Sequence, residues 1–217
     1  MNQYMDDELL INARKPKGEL GSKLIDEMNK NHEALAKWSL SHLNISENDI
    51  MLDIGCGGGV NVERFLKMTN DKVYGLDYSE VACKKSAKLN RKAIDENKCE
   101  IIQGSVSDMP FKDNYFDVAS AFETVYFWPD FIKDLKEVKR VLKDNGILFI
   151  ANEAQPIKDD ERQKKFKELL NANIYSKEEL FESLQKAGFS NITGFIKQSK
   201  DSFTGDNADW ICVIAQK

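Results

Sequence analysis

Three observations predict a doubly wound α/β sheet, parallel except where a final hairpin enters. Short apolar runs alternate with helical patterns from residue 50 onward. The first run, Ile50, Met51, Leu52 and Ile54, passes straight into a glycine loop that opens a helix. The last two runs, 190–197 and 209–216, are joined by 199–206 without a helix and are therefore expected to pair antiparallel.

Before residue 49 the pattern is helical. Leu20, Leu24, Ile25 and Met28 form one apolar stripe, and Leu35, Trp38 and Leu43 form another after a break at 29–31. The reading is an N-terminal helical cap over 1–44 and a main domain over 45–217. Residues 1–17 are polar, contain Pro16, and are expected to order only with ligand. In the glycine loop, Gly55, Gly57, Gly58 and Gly59 let the backbone turn tightly and approach a ligand, and the helix start favours a carboxylate or phosphate. A dinucleotide fingerprint would place its third glycine at position 60, where this chain has Val60. The spacing is GxGxG, preceded by Asp53.

The next strand, 72–77, closes on Asp77, where this fold predicts an acid for ribose hydroxyls. Ser79 reads as the N-cap of a helix over 81–94. A third strand, 100–103, leads into a loop at 104–111, and a fourth begins at 115–120. A helix over 131–142, a turn at 143–146 and a strand at 147–151 follow. The charged helix at 159–170, preceded by Pro156, reads as a solvated insertion, and a further helix runs from Tyr175 to the turn at Gly188.

These segments resemble, in order and from residue 49 to the C-terminus, the class I S-adenosylmethionine-dependent methyltransferases. The resemblance implies a Rossmann-like sheet of seven strands, S-adenosylmethionine as cofactor and S-adenosylhomocysteine as product. It places Gly55, Cys56, Gly57 and Gly59 around the methionine portion and Asp53 in support of its ammonium. It gives Asp77 the ribose, Tyr78 a flank of the adenine, and Ser107, Asp108 and Met109 the adenine loop. In this family, added N-terminal helices commonly cover the opening beyond the strand ends and help shape the acceptor pocket.

Methyl transfer from a sulfonium asks the protein to hold nucleophile, carbon and sulfur in line. An oxygen or nitrogen acceptor also needs a base within reach. The candidates are Glu123 and Tyr126, after the fourth strand, and His32, at the break between the cap helices. Glu123 reads either as a loop anchor or as an acceptor-facing acid, and Tyr126 and Trp128 either as packing or as pocket wall. His42 reads as a core or interface histidine, and Cys56 as a small packing residue. Base-modifying amino-methyltransferases carry an (Asp/Asn)-Pro-Pro-aromatic segment where this chain has Glu123-Thr124-Val125-Tyr126, which opposes that chemistry.

Lys and Arg total 31 against 36 Asp and Glu, a net charge of -5 in 217 residues. No broad basic surface is available for nucleic acid. The four dispersed cysteines lack metal-ligand spacing, so no metal is expected, and they fit a reducing, cytoplasmic setting. No run of eighteen apolar residues argues for a membrane span. The expected partner is a small-molecule acceptor, with the chain a monomer or homodimer. A protein methyltransferase and a non-catalytic cofactor-binding module share the pattern; Val60 and Asp53 oppose a nicotinamide oxidoreductase.

Overall fold

The computed structural model describes residues 7–201 and 205–217. Expectations that fall on 1–6, and on 202–204 of the last connection, lie outside the described residues. The order is α1 (Asp7–Arg14), α2 (Gly18–Asn31), α3 (Glu33–Leu40), β1 (Met51–Ile54), α4 (Val60–Phe65), β2 (Val73–Asp77), α5 (Glu80–Leu89), α6 (Arg91–Asp95) and β3 (Cys99–Gln103). It continues with β4 (Phe116–Phe122), α7 (Phe131–Val141), β5 (Leu142–Asn152), α8 (Glu161–Leu170), α9 (Lys177–Ala187), β6 (Ser190–Lys200) and β7 (Asn207–Gln216).

One seven-stranded sheet has the order β3-β2-β1-β4-β5-β7-β6. Strands β1 to β5 pair in parallel, and β7 runs antiparallel to both β5 and β6. The direction of strand addition reverses between β1 and β4, and a ligand crevice opens beyond the strand ends at such a switch point. Strands β1 and β2 are buried along their whole length, as a central parallel sheet requires. One face packs on α7 and α9 through Leu135, Val138, Leu180 and Leu184. The other packs Phe65, Val62 and Leu43 against Met51 and Phe149.

The local chemistry explains several boundaries. Asp117 Oδ2 accepts the Ile50 N–H at 2.8 Å and pairs with Lys143 at 2.7 Å, so this acid fastens the start of β1 to β4 and β5. Ser79 caps α5 as expected, accepting the Ala82 N–H at 3.3 Å. The helix predicted over 81–94 is instead broken at Asn90, which is buried and turns inward. Its Nδ2 donates to the Gly59 carbonyl at 3.1 Å and to Ser86 O at 3.0 Å. The turn predicted at 143–146 lies inside a longer β5, as a register irregularity between Phe116 and Val118 of its partner strand. Helix α1 forms within the stretch 1–17 that reads as polar, around the apolar run Leu9, Leu10 and Ile11.

Candidate active site

Beyond the carboxyl ends of β1, β2, β4 and β5 lies a cavity of about 890 Å³. Its floor is the glycine loop. Gly55, Gly57 and Gly59 have φ of 74°, 51° and 82°, a region that disfavours any side chain. Three of the four loop glycines also admit neighbours, Gly59 those of α5 and two others the cavity walls. A Cβ on Gly55 would meet Thr124 Oγ1 at 2.3 Å, and one on Gly58 would meet Asn29 Nδ2 at 2.3 Å. The turn after β4 and helix α2 therefore close directly onto the loop.

Asp77, at the end of β2, lines the cavity and organises this floor. Its Oδ2 accepts the Gly57 N–H at 2.9 Å and its Oδ1 the Ser79 N–H at 2.8 Å. Burial raises the carboxyl, and those two backbone donors oppose the rise. Asp53 is buried one layer below, outside the cavity wall, with Oδ1 accepting Ser120 Oγ–H at 2.7 Å. Burial pushes its carboxyl up to about 7, the Ser120 hydrogen bond works against that, and the charge of Asp77 adds to it. Cys56 is buried with its thiol pushed well up by the same cause, which leaves it a packing residue at neutral pH.

The roof comes from α1, α2 and α8. Leu10, Arg14, Pro16, Met28 and Phe166 face the cavity. Tyr78 Oη donates to the Arg14 carbonyl, and Ser79 Oγ donates to Pro16 O at 2.6 Å. Lys85 on α5 ties down α2 through Ser22 O and Asp26, both at 2.7 Å.

At the far end from Asp77 stand His32, Glu123, Glu153 and Tyr126, all on the cavity wall. Glu123 follows β4 with φ of 55°, a strained conformation for a non-glycine residue, and such conformations concentrate at functional sites. Its Oε1 accepts Tyr126 Oη–H at 3.1 Å and also the Glu153 N–H. Burial lifts the Glu123 carboxyl well above the ordinary range, and the neighbouring Glu153 lifts it further. Burial also raises the Tyr126 phenol, which stays a donor. His32 Nε2 lies 4.0 Å from Glu153 Oε2. Burial lowers the imidazole to about 4, so the contact joins a neutral ring to the carboxyl pair at neutral pH. Ligand atoms of His32, Glu123 and Glu153 lie within 4.8 Å of one another, a spacing a divalent ion also accepts.

The predicted residues thus fall into three groups. Gly55, Cys56, Gly57, Asp77, Tyr78, His32, Glu123 and Tyr126 share one cavity. Asp53 and Gly59 sit behind its floor, with Gly59 facing Ser86 and Asn90. In the adenine loop, Gly104, Ser105 and Val106 reach the wall, whereas Met109 is buried with its N–H on Glu137 at 2.9 Å and Asp108 N–H closes a turn on Ser105 O. His42 stacks on Phe195 at 3.9 Å between ring centroids, away from the cavity. Glu153 is the residue the sequence reading missed. Its signal was an acid directly after a buried strand, the same signal that singled out Asp77.

This sheet order and a switch-point cavity floored by a glycine loop define a class I methyltransferase fold. Residues 52–150 match the profile of the methyltransferase domain, and the fold is that of the S-adenosylmethionine-dependent methyltransferases among its structural neighbours. The uncharacterized methyltransferase YdaC of Bacillus subtilis is 25% identical over 86% of this chain and 93% of its own length. Cycloartenol-C-24-methyltransferase of Arabidopsis thaliana is 34% identical over 51% of this chain but only 33% of its own length. Among solved structures, Haemonchus contortus phosphoethanolamine N-methyltransferase 2 in complex with S-adenosyl-L-methionine superposes with a TM-score of 0.78. The match covers 93% of this chain and 58% of that one at 16% identity, a likeness of fold.

Proposed function

We propose that this protein transfers a methyl group from S-adenosylmethionine to a small-molecule acceptor held inside the roofed cavity. One observation carries the reading. The cavity joins a cofactor-type floor, lined by Asp77, to a wall where His32, Glu123 and Glu153 come within 4.8 Å of one another beside Tyr126. Its volume falls within the range of small-molecule sites.

The residues present fit the cofactor. Gly57 has no neighbour within 4 Å of where a Cβ would stand, so the loop leaves open backbone for the methionine portion. Asp77 lines the cavity for ribose hydroxyls, Tyr78 and the 104–106 segment flank the adenine end, and Asp53 supplies negative charge beneath the loop for the ammonium. When bound, the cofactor supplies an electrophilic methyl group on a cationic sulfur. The chain's own part is to hold the acceptor against the loop, to exclude water through the roof of α1, α2 and α8, and to receive a proton at Glu123. Helices α1 and α2 act as the cap together with α8.

The roof favours a small acceptor over a side chain of a folded protein, because Arg14 and Pro16 are tied to Tyr78 and Ser79 across the opening. Relatives named for cycloartenol and phosphoethanolamine agree with a small acceptor. The test is formation of S-adenosylhomocysteine by the purified protein across panels of alcohols, phenols, thiols, amines and an unfolded peptide mixture. Turnover confined to small molecules supports the reading; turnover only on the peptides overturns it.

A further inference from the structure

The acceptor end of the cavity holds two carboxyl groups where one would serve. Glu123 and Glu153 follow the adjacent parallel strands β4 and β5, whose register pairs Phe122 with Ala151. The Glu153 N–H donates to Glu123 Oε1, so the second acid is fixed beside the first by backbone geometry. Glu153 is 3% exposed, yet it lines the cavity. Two buried carboxylates at this spacing repel, and a proton on the pair or a cation between them relieves that repulsion. Asp201, on the same wall, adds negative field at both Glu123 and His32.

Among the described residues, the basic side chains of this cavity wall have partners other than the Glu123–Glu153 pair. Arg162 engages Asp160 and Asp206 on the same wall, Lys165 pairs with Asp7 at 2.5 Å, Arg14 donates to the Leu170 carbonyl at 2.7 Å, and Arg64 donates to Asn61 at 2.6 Å. His32 is neutral. This part of the wall is therefore anionic, with the rings of Tyr126 and Phe127 packed beside it. That combination recognises a cation carried on an apolar body.

We propose that Glu153, together with Glu123, selects an acceptor bearing an ammonium nitrogen and takes its proton, so that the site methylates a primary or secondary amine. This rests on the methyltransferase reading above and adds the acceptor's chemical class. On binding, the ammonium replaces the proton shared by the pair, which leaves to solvent. The nitrogen–hydrogen bond then breaks with its proton passing to the carboxyl pair, and the freed lone pair forms the bond to the methyl carbon. The carbon–sulfur electron pair stays on sulfur, now a neutral thioether. Tyr126 and neutral His32 frame the pair without carrying its charge.

Calorimetry tests this with matched probes, 2-phenylethylamine and hexylamine against 2-phenylethanol and 1-hexanol. Each is titrated into free and S-adenosylhomocysteine-loaded protein, in phosphate and in Tris. The amines should bind about tenfold or more tighter than their alcohols. The buffer dependence of the enthalpy should report about one proton released. Glu153→Gln should remove the discrimination while S-adenosylhomocysteine affinity stays within about twofold, and Glu153→Asp should restore part of it. Glu123→Gln provides the same reading if the first variant does not fold by circular dichroism. Equal affinity for amines and alcohols, no amine binding, or discrimination that survives both Gln variants would overturn the proposal. So would saturable Mn²⁺ or Zn²⁺ binding abolished by His32→Ala, which would make the trio a metal centre. Failure of S-adenosylhomocysteine to bind would strike the methyltransferase reading alone, because the amine titration of the free protein still reads the carboxyl pair.

Discussion

Ser120 on β4 donates its hydroxyl to Asp53 on β1 at 2.7 Å, across two parallel strands and within a site where both residues are buried. This bond holds the one acid beneath the glycine loop in place, yet it does not overcome the cost of burying a charge. Asp53 rises from 3.8 to about 7. A raised carboxyl means that the folded state binds its proton more tightly than the unfolded chain does.

Stability from this group is fully present below about pH 4 and is lost as pH rises through about 7, whereas an ammonium ligand prefers the ionised form. Affinity for S-adenosylhomocysteine should therefore climb between pH 5.5 and 7.5, by at most about tenfold per pH unit, and then level off. Asp77, also raised, and Arg64, whose charge lowers Asp53, act on the same floor. Calorimetry across that range, repeated on Asp53→Asn, checks the assignment. A pH-independent affinity in the parent protein would remove Asp53 from the cofactor site.

Asp77→Ala should weaken cofactor binding by about 2 to 4 kcal/mol, since two charge-assisted hydrogen bonds to ligand are lost. The variant also releases the Gly57 and Ser79 N–H groups that Asp77 now holds. Calorimetric titration of a variant that folds by circular dichroism measures this. Unchanged affinity would mean that Asp77 serves the loop alone.

Gly59→Ala should destabilise the fold by about 1 to 3 kcal/mol, because its left-handed backbone resists a side chain. The new methyl would also meet Ser86 Oγ at 2.3 Å and Asn90 Nδ2 at 2.7 Å. Urea unfolding reads the change as a lower midpoint at constant slope. A midpoint equal to that of the parent would show that α5 can give way there.

The cap should tighten on binding. Lys17 is exposed between α1 and α2, while Arg14 and Pro16 are hydrogen-bonded to Leu170, Tyr78 and Ser79. Trypsin should cut after Lys17 more slowly once S-adenosylhomocysteine is bound, because ligand-bound roofs open less often. Cleavage at the same rate with and without ligand would dissociate the cap from cofactor binding.

What was legible in the sequence was whatever depends on local geometry. The β1 strand, its glycine loop, Asp77 and the Ser79 cap are each written within a few consecutive residues, and so is the antiparallel final hairpin. What was not legible depends on residues far apart in the chain. Asn90 breaks a helix because it reaches Gly59, and Gly58 is needed because Asn29 arrives from α2. Glu153 matters because strand register sets it beside Glu123, thirty positions earlier. The cap pattern at Leu24 and Ile25 was readable, yet Leu20 in the same stripe is 37% exposed and lies off the cavity wall.

The cavity takes S-adenosylmethionine, and side-by-side calorimetry with S-adenosylmethionine, S-adenosylhomocysteine and NAD measures this. Saturable one-to-one binding of the first two is expected, on the order of micromolar, with none for NAD. Binding of NAD alone, or of none of the three, would contradict it.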